Sequence, residues 1–387
     1  MAQYDYIIAG GGAAGLALAY EMAASRLRGA SILIVDRQPV DRGERTWFYW
    51  SNRPNRIDHL ISHRWDRVEF ISDHFQRTYD IAPYQFYQMR AANYYRSMHE
   101  TLAEVPGVQF LQARVDEVSD VKDRTGAKVV IDGVPHGARW AFDSTYVMDD
   151  YFRGPRHFHY LKQHYKSWEI ETPADSFDPS KVTLFDLRTP QKGALRYFSI
   201  LPSTRRRAQV TYSNFSAKAL SPHEYDRAIA EYLANVLRIQ EYRTGAIESG
   251  VIPITDRPFP RKLGDRVMAI GTRGGLVRPT ISSAFPRILR DAHAIVESLI
   301  NFGEPFQVTP IPSSFRIYDS LMLQVMHRQG DRMKSIMTKI FSTCSIQDIF
   351  GYLDGTASLR ETTKLMAALP ASPFLKALFR VKLLRKV

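Results

Sequence analysis

The strongest constraint on the fold is a group of glycines near the start of the chain. The sequence YDYIIAGGGAAGLALAYEMA runs from a short apolar strand through Gly10, Gly12 and Gly15 into a helix-like segment. In such a turn the first glycine permits the tight bend, the second lets a pyrophosphate approach the backbone, and the third lets the helix pack on the strand. The helix N-terminus adds positive partial charge. The pattern predicts a dinucleotide-binding domain with these three glycines at the cofactor.

An acidic residue follows at the distance expected for ribose recognition. A second apolar strand, ASILIVD, ends at Asp36, about twenty residues after the glycines, and Arg37 comes next. An acidic side chain at this point accepts hydrogen bonds from ribose hydroxyls and favours an unphosphorylated ribose. We predict that Asp36 and Arg37 contact the cofactor.

A second glycine-rich turn, late in the chain, favours FAD over NAD. An apolar strand at 267–270 precedes Gly271, Thr272, Gly274 and Gly275, and a helix-like stretch follows. The diphosphate and ribityl chain of a flavin extend beyond the first loop toward a second helix N-terminus, so we predict that these four residues bind the cofactor. An ordinary strand-to-helix loop is the alternative interpretation.

The middle of the chain is rich in strands. Segments such as RVEFISD, GVQFLQARVDEVSD, AKVVIDG and RAQVTYSNFS are separated by Gly, Pro and Asp turns, which suggests an antiparallel sheet, and helical spacing begins after about residue 300. We predict an α/β fold with a Rossmann-like FAD-binding domain, an antiparallel β-sheet substrate domain and a helical C-terminal region. The predicted boundaries are 1–155 and 261–300 for the first, 156–260 with strands from about 65–100 for the second, and 301–387 for the third.

Composition indicates an intracellular globular protein. A chain of 387 residues with 44% hydrophobic content can bury a sizeable core. Its one cysteine, Cys344, excludes an internal disulfide framework and a cysteine-based metal cluster. No signal-peptide pattern precedes the first strand, and no run of 18 apolar residues occurs. We expect a cytoplasmic protein and no metal site.

The charge distribution suggests one kind of partner. The net charge of +12 is unaccompanied by any nucleic-acid motif, so no nucleic-acid partner is expected. The C-terminal sequence PFLKALFRVKLLRKV mixes basic and apolar residues, a composition compatible with peripheral membrane contact or with a solvated or packed terminal helix. Oligomeric state is left open.

Motifs distributed along most of the chain resemble the bacterial lycopene β-cyclase family. They include GGGAAG at the N-terminus, RTWFYW, FYQMRAANYY, LKQHYKSWEIET, VTLFDLRT, ESGVIPITD, IGTRGG and FRIYD. The resemblance implies a membrane-associated flavoprotein that closes the ends of a linear carotenoid into rings by protonation and carbocation cyclisation, with reduced FAD and no net redox change. NAD(P)H would keep the flavin reduced. It also implies that Met89 and Arg90 lie at the cofactor.

The resemblance implies an apolar tunnel with aromatic walls, where rings stabilise cations. The sequence offers many aromatic residues, and we predict substrate contacts for Trp47, Trp50, Tyr84 and Trp168. Each of them is also compatible with a place in the core.

One position departs from the family. Aligning AQVTYSNFS with the family strand puts Thr211 where the family has a glutamate considered essential for cyclisation. Thr211 is expected to point into the tunnel, but its hydroxyl cannot protonate an alkene. Asp149, Asp150 and Glu248 are the other candidate acids, and capping or turn roles remain open for each of them.

Three functions therefore stay open. The first is cyclisation of a linear isoprenoid or carotenoid. The second is FAD-dependent oxidation, hydroxylation or desaturation of an apolar isoprenoid-type substrate, which needs no strong acid. The third is a silent homologue that binds an isoprenoid without turnover.

Overall fold

A computed structural model describes residues 3–39, 45–146, 158–280, 282–309 and 313–370, together with Phe374 and Ala377. The strands are β1 (Tyr4–Ala9), β2 (Ile32–Asp36), β3 (Thr46–Ser51), β4 (His63–Trp65), β5 (Arg67–Ser72), β6 (Phe75–Asp80), β7 (Gln85–Arg90), β8 (Val108–Gln112), β9 (Val115–Asp120), β10 (Ala127–Ile131), β11 (Val134–Asp143), β12 (Tyr160–Glu171), β13 (Val182–Asp186), β14 (Leu195–Pro202), β15 (Arg207–Ser216), β16 (Arg243–Thr255) and β17 (Val267–Ala269). The α-helices are α1 (Ala13–Ala23), α2 (Ala91–Ala103), α3 (Pro222–Glu231), α4 (Phe285–Phe302), α5 (Ser313–Arg328), α6 (Met333–Thr343), α7 (Ile346–Asp354) and α8 (Leu359–Ala367).

The first sheet contains the glycine-rich N-terminal strand. Its order is β8-β2-β1-β11-β10-β9, and β17 pairs with β11. β8, β2, β1, β11 and β17 run parallel, as a Rossmann-like sheet requires, whereas β9 and β10 extend the edge as an antiparallel hairpin. Helices α1, α2 and α4 pack against one another over this sheet and bury an apolar core. The predicted fold class is confirmed.

Two expectations for this region need correction. The segments 108–120 and 127–131 belong to the first sheet and not to a common antiparallel sheet with the other middle strands. No helix directly follows the second glycine-rich turn. Gly271 and Gly275 have positive φ (+59° and +76°), which a right-handed helix does not contain, and the amide of Leu276 bonds to the carbonyl oxygen of Gly271 (3.1 Å). The next helix, α4, begins only at Phe285, with a proline in its first turn.

The second sheet has seven strands in the order β16-β12-β15-β14-β13-β5-β6. All neighbours are antiparallel except β13 and β5. Because side chains alternate between faces, one face packs on α3, while the other faces the interior of the molecule. The N-terminus of α3 is stabilised by a capping box between Ser221 and Glu224.

A small third sheet and the C-terminal helices complete the interior. The third sheet, β3-β7-β4, lies between the two larger sheets in the packing, since it contributes side chains to both of their cores. Helices α5 to α8 share the core of the second sheet, and Phe341 of α6 stacks on Phe70 of β5 with ring centroids 4.3 Å apart. Within the described residues, no helix is both long and apolar enough to cross a bilayer.

The third glycine of the N-terminal turn offers a test of this packing. A Cβ atom at Gly15 would lie 2.1 Å from the carbonyl oxygen of Gly10, so Gly15→Ala must push α1 away from the turn. We expect the free energy of unfolding to fall by about 1–3 kcal/mol, together with bound flavin. At Gly245 the nearest heavy atom is 3.6 Å away, so Gly245→Ala is the control. Equal losses in the two variants, measured by denaturant unfolding, would contradict the close approach.

Candidate active site

A cavity of about 460 Å³ lies between the second and third sheets, the amino end of α1 and the C-terminal helices. This is within the range of small-molecule sites. The second sheet supplies one wall. Three of its strands contribute alternate residues, including Tyr165 of β12, Leu195 and Tyr197 of β14, and Thr211 and Phe215 of β15. The wall is predominantly apolar and aromatic, so the cavity suits an apolar ligand.

The amino end of α1 opens into this cavity. Ala13, the first residue of α1, lines it, and Gly12 precedes the helix with extended backbone (φ −73°, ψ −174°). Within residues 3–39, no side chain caps this helix end and no acidic residue lies in its first turn. The first amides and the positive end of the helix dipole therefore suit an anionic group such as a pyrophosphate.

The two glycine-rich turns converge at this helix end. Gly10 has φ +99°, and a Cβ there would lie 2.2 Å from Oγ of Ser144. Gly271 has φ +59°, and its Cβ would lie 2.8 Å from Cβ of Ala14. Because Ser144 and Ala14 already occupy the space that side chains at these glycines would need, both turns pack tightly around the start of α1. Gly275 also has a positive φ (+76°), whereas a Cβ at Gly274 would lie 2.7 Å from the carbonyl oxygen of Ala269.

The other predicted cofactor residues lie at different depths. Asp36 is half-buried at the end of β2, where its Oδ1 accepts from the amide of Gln38 (2.8 Å), and Arg37 is exposed. Thr272 lines the cavity. Together with the cradle at α1, Asp36 and Thr272 fit an extended dinucleotide whose far end reaches the cavity.

Met89 and Arg90 do not share this arrangement. Met89 is fully buried in the core between the first sheet and its helices. Arg90 is exposed and precedes α2 as its N-cap residue. Neither residue lines the cavity, because β7 turns the Met89 side chain into the core and ends at the surface.

The structure separates the four predicted substrate residues. Trp47 and Trp50 line the cavity; Trp47 packs on Phe285 (ring centroids 4.6 Å apart) and Trp50 stacks on Phe350 of α7 (4.6 Å). Tyr84 is buried in the core beside the same Phe350 ring, outside the cavity lining.

Trp168 points away from the cavity. It packs on the opposite face of the second sheet, near Tyr242, with ring centroids 6.5 Å apart. β12 carries Tyr165 and Ser167 on the cavity face, and strand alternation sends the next residue to the other side. Trp168 therefore lies outside the cavity wall, and its contact with a substrate stays a prediction.

Thr211 lies on the cavity wall, as its place on β15 predicts. It is 7% exposed, and its Oγ1 is 2.8 Å from Oγ of Ser167 on the neighbouring strand. Val210 and Tyr212 pack on the other face of the sheet. Of the described residues that line the cavity, none is an aspartate or a glutamate. The replacement of a family glutamate by Thr211 stays a prediction.

The other candidate acids differ in what the structure says of them. Asp149 and Asp150 lie outside the described residues. Glu248 does not line the cavity but bonds to two residues that do: its Oε1 accepts from the Tyr165 hydroxyl (2.8 Å) and its Oε2 from the Thr46 amide (2.9 Å). Burial raises the pKa of the Glu248 carboxyl, and these two hydrogen bonds and the charge of Arg45 oppose the shift.

Sequence reasoning missed several residues at the cavity. Tyr165 was detectable, since the segment LKQHYKSWEIET places it on the same face of a strand as Gln163, which also lines the cavity. Four methionines of the C-terminal region could not be predicted at the cavity, because their helical spacing does not distinguish a cavity wall from a hydrophobic core. They are Met322, Met326, Met333 and Met337.

A buried arginine joins the second glycine-rich turn to the C-terminal helices. Arg278 is 1% exposed, and its Nε lies 3.2 Å from both carboxylate oxygens of Asp319 on α5. Its Nη1 donates to the carbonyl oxygens of Tyr352 and Leu353 (2.8 Å for Leu353) at the end of α7. The guanidinium thus donates to carbonyl oxygens that have no partner within the end of α7. Its positive charge also interacts favourably with the negative end of the α7 helix dipole.

Comparisons with known proteins agree with this architecture. The family model described as lycopene cyclase protein matches residues 5–379. No curated protein sequence matches the chain.

Solved structures of flavoproteins share the fold. A triple mutant of the flavin-dependent brominase Bmp2 has a TM-score of 0.62 at 16% identity, covering 94% of this chain and 98% of its own. A geranylgeranyl bacteriochlorophyll reductase-like protein from Thermoplasma acidophilum has a TM-score of 0.61 at 12% identity (98% and 99% covered). A flavoprotein/dehydrogenase from Cytophaga hutchinsonii has a TM-score of 0.61 at 13% identity (99% of each chain). At these identities the likeness establishes the fold.

Removal of the buried arginine tests its role in holding the helices. Arg278→Gln leaves Asp319 as an unpaired buried carboxylate and frees two carbonyls, so we expect unfolding free energy to fall by about 3–5 kcal/mol. The control is Arg290→Gln, because Arg290 makes a more exposed ion pair with Asp354 (2.7 Å) and should cost about 1 kcal/mol or less. Denaturant unfolding measures both variants, and similar losses would contradict a special role for Arg278.

Proposed function

The chain belongs to the lycopene cyclase family, and we propose that it is a flavin-dependent cyclase that closes rings on a linear isoprenoid or carotenoid. The observation that supports this proposal is the apolar, aromatic cavity that begins at the amino end of α1. A dinucleotide held at that helix end would present its flavin to an apolar substrate.

The residues around α1 fit FAD. The first amides of α1, with Gly10 and Gly12, would hold the pyrophosphate, Asp36 the ribose, and Thr272 with the second turn the flavin end. When bound and reduced, with NAD(P)H as the source of electrons, FAD would supply negative charge that stabilises a carbocation.

The cavity walls would protect and stabilise a cation. Ring closure requires that a proton adds to the terminal double bond, that the cation is attacked by a neighbouring double bond, and that a proton then leaves a ring carbon; atoms and electrons are conserved. Trp47 and Trp50 present rings whose faces attract cations, and the apolar wall excludes water that would trap the cation. The four methionines supply an adaptable surface for a long apolar chain.

A second candidate function is supported by a specific observation. The described residues of the cavity wall include no carboxyl group, which a protonation reaction requires close to the substrate. An FAD-dependent oxidase, hydroxylase or desaturase acting on an apolar isoprenoid-type substrate needs none.

Product analysis with and without oxygen separates these functions. We expect the FAD-loaded protein, reduced with NADPH under anaerobic conditions, to convert lycopene in liposomes into ring-containing products of unchanged mass. Omission of the reductant is the control. A product that forms only in oxygen and differs in mass would favour the second candidate, and binding without any product would favour a silent homologue; either result contradicts the cyclase.

We also propose that the protein contacts membranes peripherally, from the cytoplasmic side, where an apolar polyene would reside. The basic and apolar sequence from Phe374 to Val387 supports this proposal. Apart from Phe374 and Ala377, which pack on the core of the C-terminal helices, this segment lies outside the described residues.

Charge removal tests the membrane contact without disturbing that packing. Replacement of Lys382, Arg385 and Lys386 by Gln should reduce binding to liposomes with anionic lipids at low salt by about 1 kcal/mol per residue, a large loss in a flotation assay. The control is Arg205→Gln together with Arg206→Gln, a pair of exposed cations at the turn before β15. Unchanged flotation of the triple variant would exclude this segment as the electrostatic contact.

A further inference from the structure

We propose that Glu248 is the acid of the ring-closing reaction and that Tyr165 passes its proton to the substrate. This inference rests on the proposed cyclase function and adds the proton donor that Thr211 cannot supply. It assigns the role to a carboxyl on a different strand from the family's glutamate.

Strand register places Glu248 in line with Thr211. Ser167 on β12 lies directly opposite Thr211 on β15 and directly opposite Glu248 on β16. Residues directly opposite each other share a face of the sheet, so Thr211, Ser167 and Glu248 form a polar row on the cavity face. Neighbouring strands are about 4.8 Å apart, which puts Glu248 about 10 Å across the sheet from Thr211.

Tyr165 connects this carboxyl to the cavity. Its side chain lines the cavity wall, and its hydroxyl is 2.8 Å from Oε1 of Glu248. Gly250, opposite Tyr165 on β16, makes room for the ring, since a Cβ there would lie 2.7 Å from three of its atoms. The aromatic ring therefore lies across β16 with its hydroxyl held at the carboxyl.

The surroundings of Glu248 favour the protonated state that an acid needs. The side chain is half-buried, and burial raises the pKa of its carboxyl. Arg45, which is exposed, opposes the shift by its charge, but Glu248 takes part in no ion pair among the described residues. Asp319, a further carboxyl bonded to a residue of the cavity wall, differs from Glu248 in that it forms an ion pair with buried Arg278.

The hydrogen bonds permit transfer through Tyr165. With Glu248 protonated on Oε1, that oxygen donates to the Tyr165 hydroxyl, while Oε2 keeps its bond from the Thr46 amide. The phenolic proton is then free to move to the terminal alkene carbon as the carboxyl proton moves to the phenolic oxygen. One C–H bond forms and one O–H bond of Glu248 breaks. The proton lost from the ring carbon at the end restores the carboxyl, so the balance is that of an isomerisation.

Conservative substitutions test this assignment. Glu248→Gln keeps the size and an acceptor oxygen, and Tyr165→Phe keeps the ring, so both should retain FAD. We expect each to lower the anaerobic rate of ring closure (kcat) at least 100-fold, the contribution typical of general acid catalysis, with little change in KM. Glu171→Gln is the control, because Glu171 is an exposed carboxylate at the end of β12 that pairs with Arg207 (3.1 Å).

A pH profile and a rescue separate catalysis from a structural role. Wild-type kcat should fall as pH rises through the pKa of Glu248, because the acid must be protonated. Tyr165 and Arg45 are the titratable or charged groups that face Glu248. The fall in kcat with rising pH should be absent in Glu248→Gln. Adding Thr211→Glu to Glu248→Gln should restore ring closure, because it puts a carboxyl into the same polar row at the family position.

Two outcomes overturn the inference in distinguishable ways. An active wild type with equal activity in FAD-loaded Glu248→Gln would overturn the role of Glu248 and leave the cyclase function standing. An FAD-loaded wild type without ring closure would overturn the proposed function and this inference with it.

Discussion

The close approach of backbone segments at the amino end of α1 is the constraint on which the site depends. Gly15 lies against the carbonyl of Gly10, Gly10 lies against Ser144, and Gly271 lies against Ala14, in each case at distances that a side chain would not allow. These contacts join three sequence regions at one helix end. The positive end of the helix dipole then faces the cavity with first amides that no side chain within residues 3–39 caps, and an anionic cofactor can be held there without a charged side chain.

The cavity exists because the second sheet and the C-terminal helices are held over this helix end. The second sheet supplies one wall, and helices α5 to α7 supply the facing methionines and aromatic rings. Arg278 links the second glycine-rich turn to the C-terminal helices. It follows that turn in sequence and donates hydrogen bonds to the carboxylate of Asp319 and to the carbonyl end of α7. A buried cation with this many partners fixes the position of the helices more strongly than apolar contact alone, because its separation would leave several polar groups unpaired.

Acid chemistry at the site depends on a carboxyl that lies next to the cavity wall and does not line it. The described wall includes the Thr211 hydroxyl but no carboxyl, and Thr211 bonds to the hydroxyl of Ser167 on the neighbouring strand. Glu248 is bonded to Tyr165 and shares the polar row of the second sheet. Its half-buried position favours the neutral form of its carboxyl.

The sequence by itself determined the class of the fold and the start of the cofactor site, because Gly10, Gly12 and Gly15 in a strand–turn–helix specify local geometry. It also determined that Thr211 lies on the opposite strand face from Val210 and Tyr212, since strand alternation is local, while the resemblance to the family implied that this face points inward. Only the tertiary structure decided which aromatic rings line the cavity, separating Trp47 and Trp50 from Tyr84 and Trp168. It alone brought Glu248 to Tyr165, 83 residues apart in sequence. Periodicity gives the face of a strand, but which strands become neighbours depends on packing between distant segments.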